Sequence, residues 1–417
     1  MHMKQGALGI NGLGRIAKLS IWQHVGRKSF PGIVVNIGRA VGTGLEDLAT
    51  FIEKDSTYGT LHNYIYGFKA GRVIENLDEK AGSMTIDGVP VTILREVRNP
   101  KDIPWKAHGV DVVVESTGKF TDPTPPADTP GGSARGHLAA GARKVIVSAP
   151  FKIADKKASM PDDAVTTVMG INDRDYDPAK HNIISNASCT TNCLAHMMKP
   201  LLDHFGLKRI LTASMATVHA ITGSQVAIDR SPKAGAVDLR RNRSVFNNII
   251  LTTTGAAKAL VSVIPEMKEI GFMAESVRVP LTSGSLIILV IDIQDASDGK
   301  PTDRDLINRI YKEAAKRDKK GYLQYSDEQN VSLDIVGHPL ATAIIEGHET
   351  QTGTATISLD LKQLKGYTDE VGSCLGRTTI DIPVSKAVVY GWYDNEMAGY
   401  THMFAERTAT IASTLGS

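Results

Sequence analysis

A thiol that could attack, an imidazole that could take its proton, and hydroxyls and guanidinia that could hold an anion are all present in this chain. The setting of the thiol is the most informative. In Ile183–Cys193, IISNASCTTNC, two β-branched residues read as the end of a buried strand, and Asn186 and Ser188 offer turn and N-cap chemistry. Cys193, Leu194, Met197, Met198, Leu201, Leu202 and Phe205 then recur at helical spacing. The strand therefore empties into a helix, with Cys189 in its first turn. Unpaired backbone N–H groups and the positive end of the helix dipole favour an anion there, so a thiol becomes a nucleophilic thiolate more readily. The bland alternative is a small buried hydrophobe, which is how Cys193, one turn deeper on the same face, reads.

Downstream, Ile210–Val218 reads as a strand that delivers His219 within ATVHAIT. A lone histidine is more often structural than basic. Beside a thiol, however, an imidazole could accept the proton, keep an ion pair poised near neutral pH and return a proton to a developing oxyanion.

The elements that would position these groups begin at the amino terminus. Ala7–Ile10 is a short candidate strand, and Asn11-Gly12-Leu13-Gly14-Arg15-Ile16-Ala17 turns it into a helix. Gly12, Gly14 and Ala17 fit the G-x-G-x-x-G/A fingerprint, in which small residues let the backbone approach a pyrophosphate on a helix N-terminus. Alone the fingerprint is weak, because strand-to-helix turns use glycine for conformational reasons. Ile33–Asn36 is a second strand. Where such folds place an acid against the adenosine ribose, this chain runs into Ile37-Gly38-Arg39, with no carboxylate until Glu46. A missing acid and a nearby arginine would make NADP tolerable or preferred. Val110–Glu115, near-continuously apolar apart from Asp111, and Val145–Pro150 read as strands of the kind buried in a parallel sheet. Strands alternating with helical patterns over this span give a doubly wound sheet.

SNASCTTNCLA resembles, over eleven consecutive residues, the active-site signature of phosphorylating glyceraldehyde-3-phosphate dehydrogenases, and GINGLGRI resembles that family's opening motif. The resemblance implies an α/β fold: a Rossmann-type NAD(P)-binding domain, residues 1–187 plus 396–417, and an α+β catalytic domain with a mixed or antiparallel sheet, residues 188–395. It implies Cys189 as nucleophile and His219 as base. Substrate phosphate would be held by Ser188 and Thr190 beside the nucleophile, Thr222, Thr254 and Gly255 in TTTGAAKA, and Arg278. NAD or NADP would be bound by Asn11, Gly12, Gly14, Arg15, Ile16, Arg98, Thr117, Gly118, Ser148 and Asn395, the last orienting the nicotinamide carboxamide. Erythrose-4-phosphate dehydrogenases resemble the cysteine motif but generally lose the TTTGAAKA run, so its retention favours a triose phosphate, with inorganic phosphate as second substrate. The Arg-rich Ile228–Asn247 corresponds to a loop that in relatives reaches a neighbouring subunit, and a homotetramer is implied. A non-catalytic paralogue acting as a binding module is the rival from another class. Nucleophile, base and phosphate donors occurring together argue against it.

Four departures from the family pattern stand out. Thr121–Gly136, dense in proline and glycine, reads as a long exposed loop. Pro280-Leu281-Thr282-Ser283-Gly284-Ser285 replaces the family's Pro-Thr-Pro-Asn-Val-Ser. Glu349–Leu375 reads as an insertion before the last strand, carrying Cys374. Met397-Ala398-Gly399-Tyr400 has one residue more than the usual spacing before its tyrosine.

Composition narrows the classes. The chain has 417 residues, 42% of them hydrophobic, enough for two sizeable cores. Lys plus Arg (47) nearly cancels Asp plus Glu (45), so no global field recruits nucleic acid or anionic lipid. Four arginines in residues 228–247 without interleaved aromatics suit a loop or interface better than an RNA patch. Cys189, Cys193 and Cys374 give neither a disulfide framework nor a metal-binding signature, and a reducing cytoplasm fits best. MHMKQGALGING lacks the apolar run of a secretory signal, and no stretch approaches about 20 uninterrupted apolar residues, so no membrane span is expected.

Overall fold

A computed structural model describes residues 6–67, 71–296, 300–363, 365–368, 370, 372, 374 and 376–415. The first five residues of the glycine-rich amino terminus and Leu375 of the expected insertion lie outside them. In chain order the first half comprises β1 (Ala7–Asn11), α1 (Arg15–Arg27), β2 (Ile33–Asn36) and α2 (Leu45–Glu53). A two-stranded ribbon of β3 (Lys54–Asp55) and β4 (Gly59–Thr60) precedes α3 (Leu61–Tyr66). Then come β5 (Ile74–Asp78), β6 (Ser83–Ile86), β7 (Val89–Leu94), β8 (Val110–Glu115), α4 (Ala134–Ala139), β9 (Lys144–Val147), β10 (Ala164–Thr166) and β11 (Ile183–Ser185).

Nine of these strands form one sheet in the order β10-β11-β9-β8-β1-β2-β7-β6-β5. β1 pairs in parallel with β2 on one side and β8 on the other, while β5 and β6 fold back antiparallel at one edge. The near-continuous apolar strands are explained by burial on both faces. Leu8, Ile10, Val35, Val112 and Ile146 pack into one core, and Val34, Val110 and Val113 pack with Trp105 on the other face. The chain runs from β1 to β2 and β7 on one side and then crosses back to β8 on the other, so a crevice opens at the carboxyl ends of β1, β2 and β8, where doubly wound folds bind ligands.

The second sheet is mixed. α5 (Cys189–Phe205) leads to β12 (Ile210–His219), β13 (Ile250–Thr252), α6 (Ala256–Val263), β14 (Gly271–Arg278), β15 (Ser285–Gln294), α7 (Arg304–Arg317), β16 (Leu323–Ser326), α8 (Ser332–Ile335), β17 (Ala343–Glu346), β18 (Gln351–Asp360) and β19 (Thr379–Tyr393). The order is β13-β14-β12-β15-β19-β17-β16, with β18 paired to β19. β12 runs parallel to β14 and antiparallel to β15, as expected for a mixed sheet. α5 covers it with Cys193, Leu194, Met197, Met198 and Leu201 fully buried. The last helix, α9 (His402–Ser413), returns to pack on α1 and β8.

Three sequence departures resolve differently from expectation. Thr121–Gly136 is not simply exposed: Pro123, Ser133 and Gly136 are buried, and its end is the start of α4, capped by the Ser133 hydroxyl accepting from the Gly136 N–H at 3.2 Å. Arg135 anchors it through a two-pronged pair with Asp163, at 2.8 and 2.6 Å. Gln351–Asp360 within Glu349–Leu375 is a regular strand in ten-residue antiparallel register with Thr379–Val388, so this part lengthens the sheet as a ribbon. The extra residue near Tyr400 is taken up by a π-helical turn, Met397–Thr401, in which the Thr401 N–H reaches back five residues to the Glu396 carbonyl at 2.7 Å.

His24 is fully buried in α1 beside Phe30, and neither ring nitrogen has a partner among the described residues. Burial lowers its pKa to about 3. The unfolded chain takes up this proton near pH 6.5 and the folded chain only near 3, so stability is lost as pH falls across that window. The urea midpoint of His24→Leu is expected to fall less steeply than that of the wild type between those two pH values.

Candidate active site

β11 ends in a tight turn at Ala187, whose φ of 54° is uncommon for a residue with a side chain. The turn is held from outside: the Tyr400 hydroxyl donates to the Ala187 carbonyl at 3.1 Å, and the Asn192 side chain donates to the Asn186 and Ser188 carbonyls, each at 2.9 Å. Ser188 caps α5 by accepting from the Thr191 N–H at 3.1 Å. Cys189 thus begins the helix, with its Sγ 3.5 Å from Nε2 of His219, the last residue of β12. The two groups expected to react together meet.

The imidazole's other nitrogen fixes its state. Nδ1 lies 2.7 Å from the Ala220 carbonyl; with the hydrogen assigned to Nδ1 on that contact, Nε2 offers its lone pair to the sulfur. Arg278, at the end of β14, donates to the same carbonyl at 2.9 Å and touches the ring at Nδ1, while its own Nε is buried without a partner. Against the expectation of a resting ion pair, burial pushes the Cys189 thiol above its ordinary value and lowers His219 to about 3. Arg278 pulls both toward the deprotonated form. The 3.5 Å contact lets the base take the proton as the sulfur attacks.

The dinucleotide crevice is a cavity of about 740 Å³ lined by the turns after β1 (Asn11–Gly14), β2 (Asn36–Arg39) and β8 (Ser116, Thr117, Lys119, Phe120), with Arg98, Pro130 and Gly131 at its rim. Gly12 has φ 100° and nestles against Ser116 and Thr117, whereas the space around Gly14 is open. Gly14 precedes α1 with no side-chain cap, which leaves that helix's N–H groups to a phosphate. The Asn36 Oδ1, buried and unpartnered, is an acceptor in the same wall. These residues fit a nicotinamide dinucleotide.

The family model described as glyceraldehyde 3-phosphate dehydrogenase, NAD binding domain, matches residues 7–123, and the one for the C-terminal domain of that enzyme matches residues 188–360. Glyceraldehyde-3-phosphate dehydrogenase 2 of Streptomyces avermitilis is 36% identical over 409 residues, 98% of this chain and 99% of the relative. The glyceraldehyde-3-phosphate dehydrogenase of Geobacillus stearothermophilus is 34% identical over 407 residues, 97% of this chain and 98% of the relative. The chain belongs to the glyceraldehyde-3-phosphate dehydrogenase family. Its cofactor is accordingly NAD or NADP.

The structure distributes the other candidates of this dehydrogenase unevenly. Thr190 is buried, and its hydroxyl is 3.0 Å from Tyr393, which also bonds Thr217 at 2.8 Å. Thr222 pairs with Ser224 and Gln225, each at 3.0 Å, and Thr254 accepts from the Ala256 N–H at 3.2 Å, with the space around Gly255 open. Arg15 does not line the cavity: it reaches Glu396 (Nε to Oε1, 3.1 Å) and pairs with Asp55, which Lys18 also holds at 2.8 Å. Ile16, Gly118 and Ser148 are likewise outside the lining, Ser148 donating its N–H to the Glu115 carbonyl at 2.9 Å. The Asn395 Oδ1 accepts from Ser285 at 3.0 Å, with the Ser283 hydroxyl, which donates to Asp394, 3.2 Å away, and this leaves its amide N–H groups to donate. The altered Pro280–Ser285 segment thus supplies the hydroxyls that set Asn395.

Sequence reasoning passed over Glu115. Buried at the end of β8, it accepts from Asn11 at 2.8 Å, from the Thr117 N–H at 2.8 Å and from the Thr117 hydroxyl. Nε2 of His137 in α4 lies 3.1 Å from Oε2, the oxygen that also accepts from Asn11, and its Nδ1 accepts from Trp105 at 3.0 Å. One carboxylate therefore ties the β1 and β8 turns to α4. The signal was an acid ending a strand that is apolar apart from Asp111.

Two outcomes follow from this geometry. The alkylation rate of Cys189 by iodoacetamide should keep rising through pH 9.0 rather than level off near neutrality, and Arg278→Leu should slow it at every pH below that. Glu115→Gln should weaken dinucleotide binding by about 10-fold, since losing a hydrogen bond to a charged group costs about 1.5–3 kcal/mol; equilibrium titration of cofactor binding checks it.

Proposed function

We propose that the chain catalyses the phosphorylating oxidation of D-glyceraldehyde 3-phosphate, with Cys189 as nucleophile and His219 as base. The observation that carries this reading is the 3.5 Å contact between Sγ and a lone-pair-bearing Nε2 beside a buried guanidinium. The sulfur adds to the aldehyde carbon as its proton passes to Nε2, and the imidazolium returns that proton to the new oxyanion. Nicotinamide, when bound, supplies the hydride acceptor. His219 then takes the hydroxyl proton as the carbon is oxidised to a thioester. Inorganic phosphate attacks the thioester carbon, the carbon–sulfur bond breaks, and the proton goes back to sulfur. Arg278, with its unpartnered Nε, and the hydroxyls of Ser188, Thr222 and Thr254 are assigned to the phosphates, as is the backbone at Gly255. Thr190 acts through Tyr393. Asn11, Gly12, Gly14, Arg98, Thr117 and Asn395 bind the cofactor. Arg15, Ile16, Gly118 and Ser148 support that site from behind.

We assign residues 1–187 plus 396–417 to the cofactor domain and 188–395 to the catalytic domain. A homotetramer is proposed from the exposed apolar side chains on residues 228–251 and β14: Ile228 (79% exposed), Val237 (98%), Phe246, Ile249 and Met273. No described helix is long and apolar enough to cross a membrane, and a cytoplasmic location is proposed from three free cysteines.

Phosphate-dependent reduction of NAD or NADP by the triose phosphate, followed by absorbance with erythrose 4-phosphate as competitor, tests the reaction. Cys189→Ser should have essentially no turnover, and His219→Asn should lose about 10²–10⁴-fold in kcat. Turnover retained in the cysteine variant would remove the mechanism.

A further inference from the structure

We propose that this dehydrogenase selects NADP over NAD, with the adenosine 2′-phosphate clamped between Arg39 and Arg98; this deepens the cofactor assignment above and rests on it. The sheet order places β7 beside β2, so the residues leaving the carboxyl ends of these two strands share one side of the cavity. That is where a doubly wound fold sets a carboxylate against the ribose, or an arginine against a 2′-phosphate. Here β2 ends in Asn36 and continues through Ile37 and Gly38 to Arg39, while Arg98 follows β7.

The backbone holds the two arginines together. Gly38 has φ 67°, and a Cβ there would stand 2.7 Å from the Val97 carbonyl, so only glycine brings this turn so close to residues 97 and 98. Arg98 Nε donates to the Gly38 carbonyl at 3.0 Å, which fixes one face of its guanidinium and leaves both Nη groups to an anion. Among the described residues neither Arg39 nor Arg98 has a carboxylate partner. The nearby acids are engaged elsewhere: Asp47 with Thr43, Glu46 with Arg72, and Glu79 with Arg95 and the Leu45 N–H.

The lining of the cavity contains Arg39, Arg98 and Lys119 and neither aspartate nor glutamate. Two guanidinia without acid partners line one wall, and a phosphate of about −1.5 to −2 charge would be attracted to both. Asn36 replaces repulsion with neutrality. It bonds the Asn11 side chain at 2.8 Å and the Val97 carbonyl at 3.1 Å through its amide nitrogen, so its Oδ1 can take a ribose hydroxyl without opposing a phosphate.

Isothermal titration of the cofactor-stripped full chain with NADP⁺, NAD⁺, 2′,5′-ADP and 5′-AMP tests the clamp without any turnover. NADP⁺ is expected to bind about 10–100-fold more tightly than NAD⁺, and 2′,5′-ADP more tightly than 5′-AMP by a similar factor. The preference should shrink with added salt. Arg39→Ala and Arg98→Ala should each loosen NADP⁺ more than NAD⁺, and Arg39→Glu should erase the preference. Equal or tighter NAD⁺ binding, or an Arg39→Ala variant that loosens both dinucleotides equally, overturns the clamp while leaving the triose phosphate reaction intact with NAD⁺. Failure of both dinucleotides to bind overturns the cofactor cavity itself.

Discussion

The distance between one sulfur and one ring nitrogen depends on how closely a helix can lie on a sheet. α5 rests on β19 at Gly391, where any side chain would run into Met197, and the Cys193 sulfur sits 4.0 Å from the Gly391 and Trp392 carbonyls. β15 lies between β19 and β12, with Ile287 opposite Gly391 on one side and Thr217 on the other. The helix height over Gly391 thus fixes where Cys189 stands relative to His219, two strands away. Buried interiors are packed like crystals, so a small error at Gly391 would be passed to the reacting atoms rather than absorbed.

A second constraint joins this catalytic layer to the nucleotide crevice. The Asp394 carboxylate accepts from the Tyr58 hydroxyl at 2.7 Å, the Ser283 hydroxyl at 2.8 Å, and the N–H groups of Gly337, Glu396, Met397 and Ala398. Tyr58 belongs to the nucleotide-binding half, Ser283 to the strand turn after β14, and the amides to the chain leaving β19. Next to it, Arg15 links α1 to Glu396 and Asp55. Asn395 stands between these two anchors, so its amide is placed by groups from both sheets. A buried carboxylate with so many donors is well satisfied, and removing any of them would leave charge exposed to an apolar interior.

What could be read from the sequence was what is local in it. The strand, turn and helix around Cys189 declare themselves through spacing within about twenty residues, and the glycine fingerprint after β1 does the same. The mixed second sheet and the meeting of Cys189 with His219 came through resemblance to a family. The hubs were not legible: Glu115 gathers partners 104 and 22 residues away, and Arg15 finds its carboxylates 40 and 381 residues along the chain. No periodicity encodes such pairings. In Thr121–Gly136 proline and glycine marked the exposed stretch around Pro126, Pro130 and Gly131, but not the buried Pro123, Ser133 and Gly136 that anchor it to α4 or the place of Pro130 and Gly131 in the cavity lining. For the thiol, a helix dipole is visible in sequence, whereas the desolvation that opposes it is not.

The π-helical turn at Met397–Thr401 decouples chain length from geometry. The added residue bulges within one turn, so Asn395 before it and α9 after it keep their own alignments, and Tyr400 still swings inward to brace the bend ahead of the nucleophile. The stretch between the last strand and the last helix can therefore hold one residue more than a regular α-helical turn without moving the reacting groups on either side of it.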